Sequence, residues 1–312
     1  MENLRDQRGD SCVTPQRPKH SYRYRLLILL GIGLLATGCG KQYVLLHPAG
    51  PVAKSELGLI YLSGGAMIFV ILLVLVLFTI VLVRFRDKPG NKAPYHPLWD
   101  HNRKLELFWV GLSLVIVIVI SIPTVQKTYA LDKLPPAKDP VIIDVTAIQY
   151  KWLFEYPQQH IATVNYINIP SGVPVLFKLT AEAPMNTFWV PRLGGMEYTM
   201  PGEVLPLWLE ARKPGIYPGR SGQFSGRGFV HMTFNVRAIP MNRFHSWANQ
   251  VQKENHPLTI SDYNRLVDRH IWVSSATYSG FPVSTFPTTD HGFTLHGNMF
   301  IQMKHMFMNM PS

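Results

Sequence analysis

Three hydrophobic patterns succeed one another along the chain, and each predicts a different kind of element. The first is unbroken apolarity. Leu57 to Val83 contains no charged residue; as a helix it is about 40 Å long, ample to cross a ~30 Å hydrocarbon layer with some tilt. Leu107 to Val125 repeats the pattern and is long enough to span, with Ile122-Pro123 near its end, where a helix can kink or fray. Leu26 to Ala36 is apolar too, but short of a span. The second pattern begins beyond the stiff connector Leu134-Pro135-Pro136. β-Branched runs cover Val141–Ala147, Ile161–Ile169, Val173–Thr180, Val204–Glu210 and Phe229–Ile239, punctuated by Pro170-Ser171-Gly172 and Lys213-Pro214-Gly215. Short strands with turn signals and no alternating helices predict an antiparallel sandwich or barrel. After Pro240 the composition changes again, and helices are predicted over Phe244–Glu254 and Ser261–Ile271, the second opened by the capping box Thr259-Ile260-Ser261-Asp262.

With 312 residues, 47% of them hydrophobic, the chain has room for a membrane anchor and one compact domain. A formal charge of +11 would suit a nucleic-acid ligand if it formed a stripe, so its location decides. Arg17, Lys19, Arg23 and Arg25 precede the short apolar run. Arg84, Arg86, Lys88, Lys92, Arg103 and Lys104, against Asp87 and Asp100, lie between the two spanning runs. From Lys127 onward only a slight basic excess remains, with no stripe, which excludes nucleic acid as a partner. The basic loop is therefore cytoplasmic by the positive-inside rule, and Cys39 and everything after Gln126 lie outside. Cys12 and Cys39, the two cysteines, both precede the first span, so no disulfide framework is possible in the folded domain. A basic region, a short apolar run and then Thr37-Gly38-Cys39 make a secretory leader. Cys after a small residue resembles the bacterial lipoprotein cleavage site, with Ala36 where Leu is usual. That resemblance implies removal of residues 1–38 and acylation of Cys39, whose lipid would hold the new N-terminus at the outer face.

The candidate chemistry centres on Gly222 to Val236, G-Q-F-S-G-R-G-F-V-H-M-T-F-N-V. A loop that presents metal between two strands needs closely spaced Cys, His or Met donors. This stretch has the frame of such a loop and few of the donors. His231 and Met232 are adjacent, so on a strand they point to opposite faces and cannot converge on one ion; one core and one surface residue are expected. A second stretch, Met185-Asn186-Thr187-Phe188-Trp189-Val190-Pro191-Arg192-Leu193-Gly194, accompanies the first.

Together these stretches resemble the second subunit of haem-copper oxidases, and specifically the quinol-oxidising branch, the cytochrome bo-type ubiquinol oxidases. In the cytochrome c-oxidising branch the loop holds a dinuclear copper centre on two Cys, a carboxylate, a His and a Met, with a further His opening the second stretch. Laid on that pattern, the two Cys positions fall on Phe224 and Gly228, the carboxylate on Gly226, the loop His on Met232, the Met on Asn235 and the second His on Asn186. Phe and Gly in place of both thiolates cannot support a copper thiolate bridge. The resemblance implies a two-helix transmembrane hairpin over residues 57–126, following an outer N-terminal segment at 39–56. It also implies an all-β cupredoxin-like sandwich over 127–240 without copper ligands; a short helical C-terminal extension and tail follow at 241–312.

Two further stretches carry the resemblance. His101-Asn102-Arg103-Lys104-Leu105-Glu106-Leu107-Phe108-Trp109 is similar to the family's run at the start of the second helix. A carboxylate at the lip of a spanning helix is ordinarily an interfacial or helix-N-terminal charge; the resemblance instead implies that Glu106 stands at the cytoplasmic mouth of a proton path. Gln149-Tyr150-Lys151-Trp152-Leu153-Phe154-Glu155-Tyr156 is similar to the aromatic segment that passes electrons inward in copper-bearing relatives, with Tyr150 at the position of the first Trp. Here these rings are expected to pack the sandwich against a membrane-embedded partner. In the tail, Met299, Met303, Met306 and Met310 form one helical stripe near His296 and His305, either a packing face or a soft copper(I) site.

No nucleophile triad, phosphate-binding loop, dinucleotide fingerprint or Cys-x-x-Cys is present. The expectation is a non-catalytic subunit of a proton-pumping terminal quinol oxidase in the bacterial inner membrane, with its sandwich in the periplasm and ubiquinol as electron donor. Haems and copper are expected in a large partner subunit, beside smaller membrane subunits, and no cofactor or metal in this chain. The alternatives are a copper-binding cytochrome c oxidase subunit and a free lipoprotein that handles copper through its methionine-rich tail.

Overall fold

The computed structural model describes residues 43–282 apart from residues 87, 95–100, 133–139, 183, 269 and 272. Cys39 with its leader, the Leu134-Pro135-Pro136 connector and the methionine stripe of the tail lie outside the described residues.

Both apolar runs are helices, and both extend past their charge-free stretches: α1 spans Pro51–Arg84 and α2 Arg103–Asp132. Their apolar windows have no buried residue, so a ring such as Phe78 or a side chain such as Val110 is more than half exposed. Apolar surface of that extent on two full-length helices needs lipid or partner helices around it. The expected fraying at Ile122-Pro123 does not occur. Pro123 lies inside α2, and the Trp208 indole holds the far end of the helix by donating to the carbonyl of Leu131 at 2.7 Å. That bond satisfies one of the carbonyls a helix terminus leaves unpaired.

α1 begins on the sandwich rather than beside it. Ala49 N–H donates to the Arg192 carbonyl at 2.7 Å and Ala53 N–H, in the first helical turn, to the Leu193 carbonyl at 3.2 Å. Between them Gly50 is wedged so closely that a Cβ there would lie 2.5 Å from the Glu210 carbonyl oxygen. Pro51 then opens the helix with a ring whose missing N–H costs nothing at that position.

The β region forms two sheets packed around one core. Its strands are β1 Val141–Ile148, β2 Lys151–Tyr156, β3 Ile161–Val164, β4 Tyr166–Pro170, β5 Val175–Ala181 and β6 Asn186–Trp189. They continue with β7 Met196–Thr199, β8 Leu205–Leu209, β9 Gly215–Ser221, β10 Thr233–Ile239 and β11 Ala276–Tyr278. One sheet has the order β11-β3-β2-β1-β5-β8 and the other β4-β10-β9-β6-β7. The sheets are mixed rather than antiparallel throughout, because β1 pairs parallel with β5 and β4 parallel with β10. The expected single strand over Ile161–Ile169 is two strands in different sheets. Asn165 takes φ +60 between them, a left-handed conformation that asparagine tolerates. Its side chain accepts from the Trp152 N–H at 2.9 Å and donates to the Val273 carbonyl at 2.6 Å.

Alternation decides where the aromatic segment goes. Trp152, Phe154 and Tyr156 on β2 point between the sheets and are fully buried, with Phe188 and Phe234 stacked at 4.8 Å beside them. They therefore pack the interior of the sandwich, not a partner as expected. The chain's own C-terminal extension adds to both faces: α3 Met241–Glu254 packs Phe244, Ala248 and Val251 into the core beside Tyr156, while the opposite face of β2 is covered by α4 Ile260–Val267, with β11 extending the sheet beyond β3. Leu153, Ala162 and Val164 meet Leu258, Leu266 and Tyr278 there. The expected capping box holds, since Thr259 Oγ1 accepts from the Asp262 N–H at 3.1 Å and the Asp262 carboxylate accepts from the Thr259 N–H at 3.2 Å. α4 ends at Val267, short of the expected Ile271. Lys151 closes it: its buried Nζ donates to the carbonyls of Leu266 at 2.7 Å and Asp268 at 2.8 Å.

Candidate functional site

The loop that follows β9 is built around Tyr150. Gln149 and Tyr150 form the turn between β1 and β2, and Gln149 Nε2 donates to the Ser225 carbonyl and to Tyr150 Oη, both at 3.3 Å. The tyrosine ring then lies directly beneath the loop glycines. Gly226 has φ +124, and a Cβ there would come within 2.5 Å of Tyr150 Oη. A Cβ on Gly228 would collide with Cγ and Cδ2 of the same ring. Both glycines are thus required by one aromatic side chain.

The other candidate positions are held by ordinary structural contacts. Asn186 opens β6 with its side chain fully buried; its Oδ1 accepts from Ser221 Oγ at 3.1 Å and its Nδ2 donates to the Pro184 carbonyl at 2.9 Å. Gly222 N–H donates to Thr187 Oγ1 at 2.7 Å, which ties the start of the loop to β6. Met232 is buried, and its carbonyl accepts from the Ser221 N–H at 3.1 Å and the Trp152 indole at 3.5 Å. His231 beside it is exposed, so the pair divides into one core and one surface residue as expected. The geometry differs from the expectation, because Phe229–His231 is a turn of 3-10 helix and β10 starts only at Thr233. Phe224 is 74% exposed and touches Phe229, with ring centroids 5.8 Å apart. Asn235 sits on β10 with its side chain outward, opposite Pro218.

A dinuclear copper centre does not fit these residues. Bridging needs two thiolates, and the positions the resemblance assigns to them carry a solvent-facing phenyl ring at Phe224 and no side chain at Gly228. The space beside Gly228 is filled by the Tyr150 ring. The amide of Asn186 is already engaged on both its oxygen and its nitrogen. Among the described residues no group of three or more His, Cys, Asp or Glu side chains could hold a metal ion.

Glu106 lies at the other end of the chain's membrane segment, in the first turn of α2. Asn102 caps that turn, its Oδ1 accepting from the N–H groups of Lys104 and Leu105 at 3.1 Å each. The Glu106 carboxylate pairs with His101 Nδ1 at 2.7 Å, and both side chains are more than half exposed. The helix dipole favours a carboxylate there. Sequence reasoning singled out Glu106 but not its imidazole partner, although His101 stood in the same run. Gln149 likewise stood in the quoted aromatic run without a role, because its turn position gives no signal of the loop it reaches.

No protein-family profile matches the chain. It is 45% identical over 273 residues to quinol oxidase subunit 2 of Bacillus cereus, covering 86% of this chain and 93% of that one. It is 41% identical over 246 residues to quinol oxidase subunit 2 of Bacillus subtilis, covering 78% of this chain and 76% of the relative. Among solved structures it is similar to the periplasmic domain of subunit II of cytochrome oxidase from Bradyrhizobium japonicum, with a TM-score of 0.37 at 20% identity over 38% of this chain and 97% of that one. A haem-copper terminal oxidase dimer gives 0.31 at 16% identity over 42% of this chain and 99% of that one.

Proposed function

The chain belongs to the quinol oxidase subunit 2 family, and on that premise we propose that it is the non-catalytic second subunit of a proton-pumping terminal oxidase that takes electrons from ubiquinol and not from cytochrome c. Being a subunit of a quinol oxidase makes it part of an oxidoreductase complex. The haems and copper belong to the large partner subunit, beside smaller membrane subunits, and this chain holds no redox centre. α1 and α2 cross the bacterial inner membrane, with the basic loop in the cytoplasm and the sandwich in the periplasm. Cys39 carries lipid, and Glu106 admits protons from the cytoplasmic side.

One observation carries the donor assignment: the Tyr150 ring fills the space beside Gly228, where a copper-bridging side chain would have to stand. A sandwich that cannot hold copper has no centre to accept an electron from a soluble carrier, so the electrons must enter the complex through the membrane. The purified complex should consume oxygen rapidly with a ubiquinol and negligibly with reduced cytochrome c, and its second subunit, once separated, should contain no stoichiometric copper. Fast oxidation of cytochrome c, or two coppers per subunit, would restore the copper-bearing alternative.

A further inference from the structure

Where the two membrane helices meet the sandwich they enclose a cavity of about 710 Å³. Its level in the bilayer follows from the charge pattern. The apolar run of α1 starts at Leu57 and that of α2 ends at Val125, so both helices leave the hydrocarbon at this end of the hairpin. The cavity straddles that level. Leu59 and Val125 line it on the hydrocarbon side, while Glu56 and Lys127 line it on the water side. Tyr129 and Trp208, residue types that settle among headgroups, also line it, as does a second carboxylate, Glu197, from the sandwich. Two of these groups are held in place: the Trp208 indole is fixed on the Leu131 carbonyl, and Glu56 accepts a hydrogen bond from the Gly195 N–H.

A pocket with an apolar floor at the depth of acyl chains, and two carboxylates, Glu56 and Glu197, beside one ammonium, Lys127, at its polar end, is complementary to an amphiphile that carries both charges. Resting on the reading that α1 and α2 span the membrane, we infer that this cavity binds one outer-leaflet phospholipid with an amine-bearing zwitterionic headgroup. Its phosphate turns to Lys127, its ammonium to Glu56, and its first acyl carbons lie along Leu59 and Val125. The volume is that of a small-ligand site, so it takes the headgroup, glycerol and the start of a chain while the rest of the lipid stays in the bilayer. The bound lipid would join the helix ends to the sandwich across the gap between them.

The test is photo-crosslinking in intact membranes, with p-benzoylphenylalanine in place of Thr128 or, separately, of Met196, both of which line the cavity. A carbonate wash comes first; release of the chain from the membrane at that step would refute the spanning reading itself, independently of the lipid. With the chain retained, mass spectrometry of the irradiated subunit should show a phosphatidylethanolamine adduct from both positions. Lys127→Glu should lower the adduct yield at least about fivefold, the factor expected for removing one lysine near a phosphate surface before the added carboxylate is counted. An adduct to another polypeptide, no adduct from either position, or a yield unchanged by Lys127→Glu would each overturn the inference.

Discussion

At the scale of single residues, the site is decided by what a side chain excludes. Gly228 has φ −86, open to any residue, so only the Tyr150 ring forbids a Cβ there. Gly228→Ala should therefore destabilise the subunit by about 1–3 kcal/mol, an ordinary overpacking cost. Adding Tyr150→Ala should recover part of the loss, a coupling that the thermal midpoints of the purified complexes would reveal and that strict additivity would disprove. Glu106 offers a second residue-scale test. Glu106→Ala should slow quinol-driven oxygen uptake and proton uptake while leaving the complex assembled, and Glu106→Gln should behave likewise, since neither side chain can carry a proton from the cytoplasm. Wild-type turnover in both would return Glu106 to the role of an interfacial helix charge paired with His101. A third test concerns Asp144, on the outer face of its sheet in register with Glu155 on β2 and Lys178 on β5. Burial pushes its carboxyl up from the ordinary 3.8 to about 6, against the pull of the Lys178 ammonium. The folded protein then keeps a proton that the unfolded chain has released, so stability falls as pH rises through about 4 to 6, and the full penalty remains above that window. Asp144→Asn should gain about 1–2 kcal/mol at pH 7.5 and little at pH 4. An equal offset in thermal midpoint at the two pH values would exclude titration as the cause.

At the scale of elements, legibility tracked how far each pattern depended on local sequence. The two apolar runs and the Thr259–Asp262 cap read correctly because length without charge and a cap's hydrogen bonds are local properties. The middle of the sandwich read poorly. β9, Gly215–Ser221, has the sequence Gly-Ile-Tyr-Pro-Gly-Arg-Ser, which signals a turn, yet it pairs with β10 along its length. Its ladder to β6 takes in only Arg220 and Ser221, so at Pro218 the strand has a neighbour on one side alone, where proline is tolerated. The C-terminal extension likewise showed its helices but not its purpose. Lys151 pins it from beneath, and Lys151→Met, which keeps the apolar stem, should cost about 1–3 kcal/mol by leaving the carbonyls of Leu266 and Asp268 without their donor. The loss should be local: limited proteolysis ought to cut after α4 in the variant and not in the wild type, and unchanged cleavage would argue that the lysine is dispensable.

At the scale of the whole molecule, the chain pairs two helices long and apolar enough to cross a membrane with a β-sandwich, and the first helix begins on that sandwich. The contacts of Ala49, Gly50 and Ala53 with Arg192 and Leu193 make the end of α1 and the sandwich one packed unit. Lipid on Cys39 would anchor the same end of the chain a short way before Gly50. Intact-mass measurement of the subunit should find a chain beginning at Cys39 and carrying acyl groups; a chain that retains residues before Cys39, or an unmodified cysteine, would remove that anchor.

Taken alone, the amino-acid sequence determined the two long apolar helices, the basic loop between them, the β character of the domain that follows and the want of thiolates at Phe224 and Gly228. Each of these is a property of side-chain chemistry or of spacing within one stretch, readable without knowing what lies opposite. Tertiary structure alone decided that Ile161–Ile169 breaks at Asn165 to change sheets, and that Trp152, Phe154 and Tyr156 turn inward while Lys151 and Leu153 face the extension. It also decided that Tyr150 closes the loop. A strand's two faces are alike in sequence when both are covered, and which residue fills a given space depends on contacts between Gln149, Tyr150 and a loop far along the chain, which no local pattern encodes.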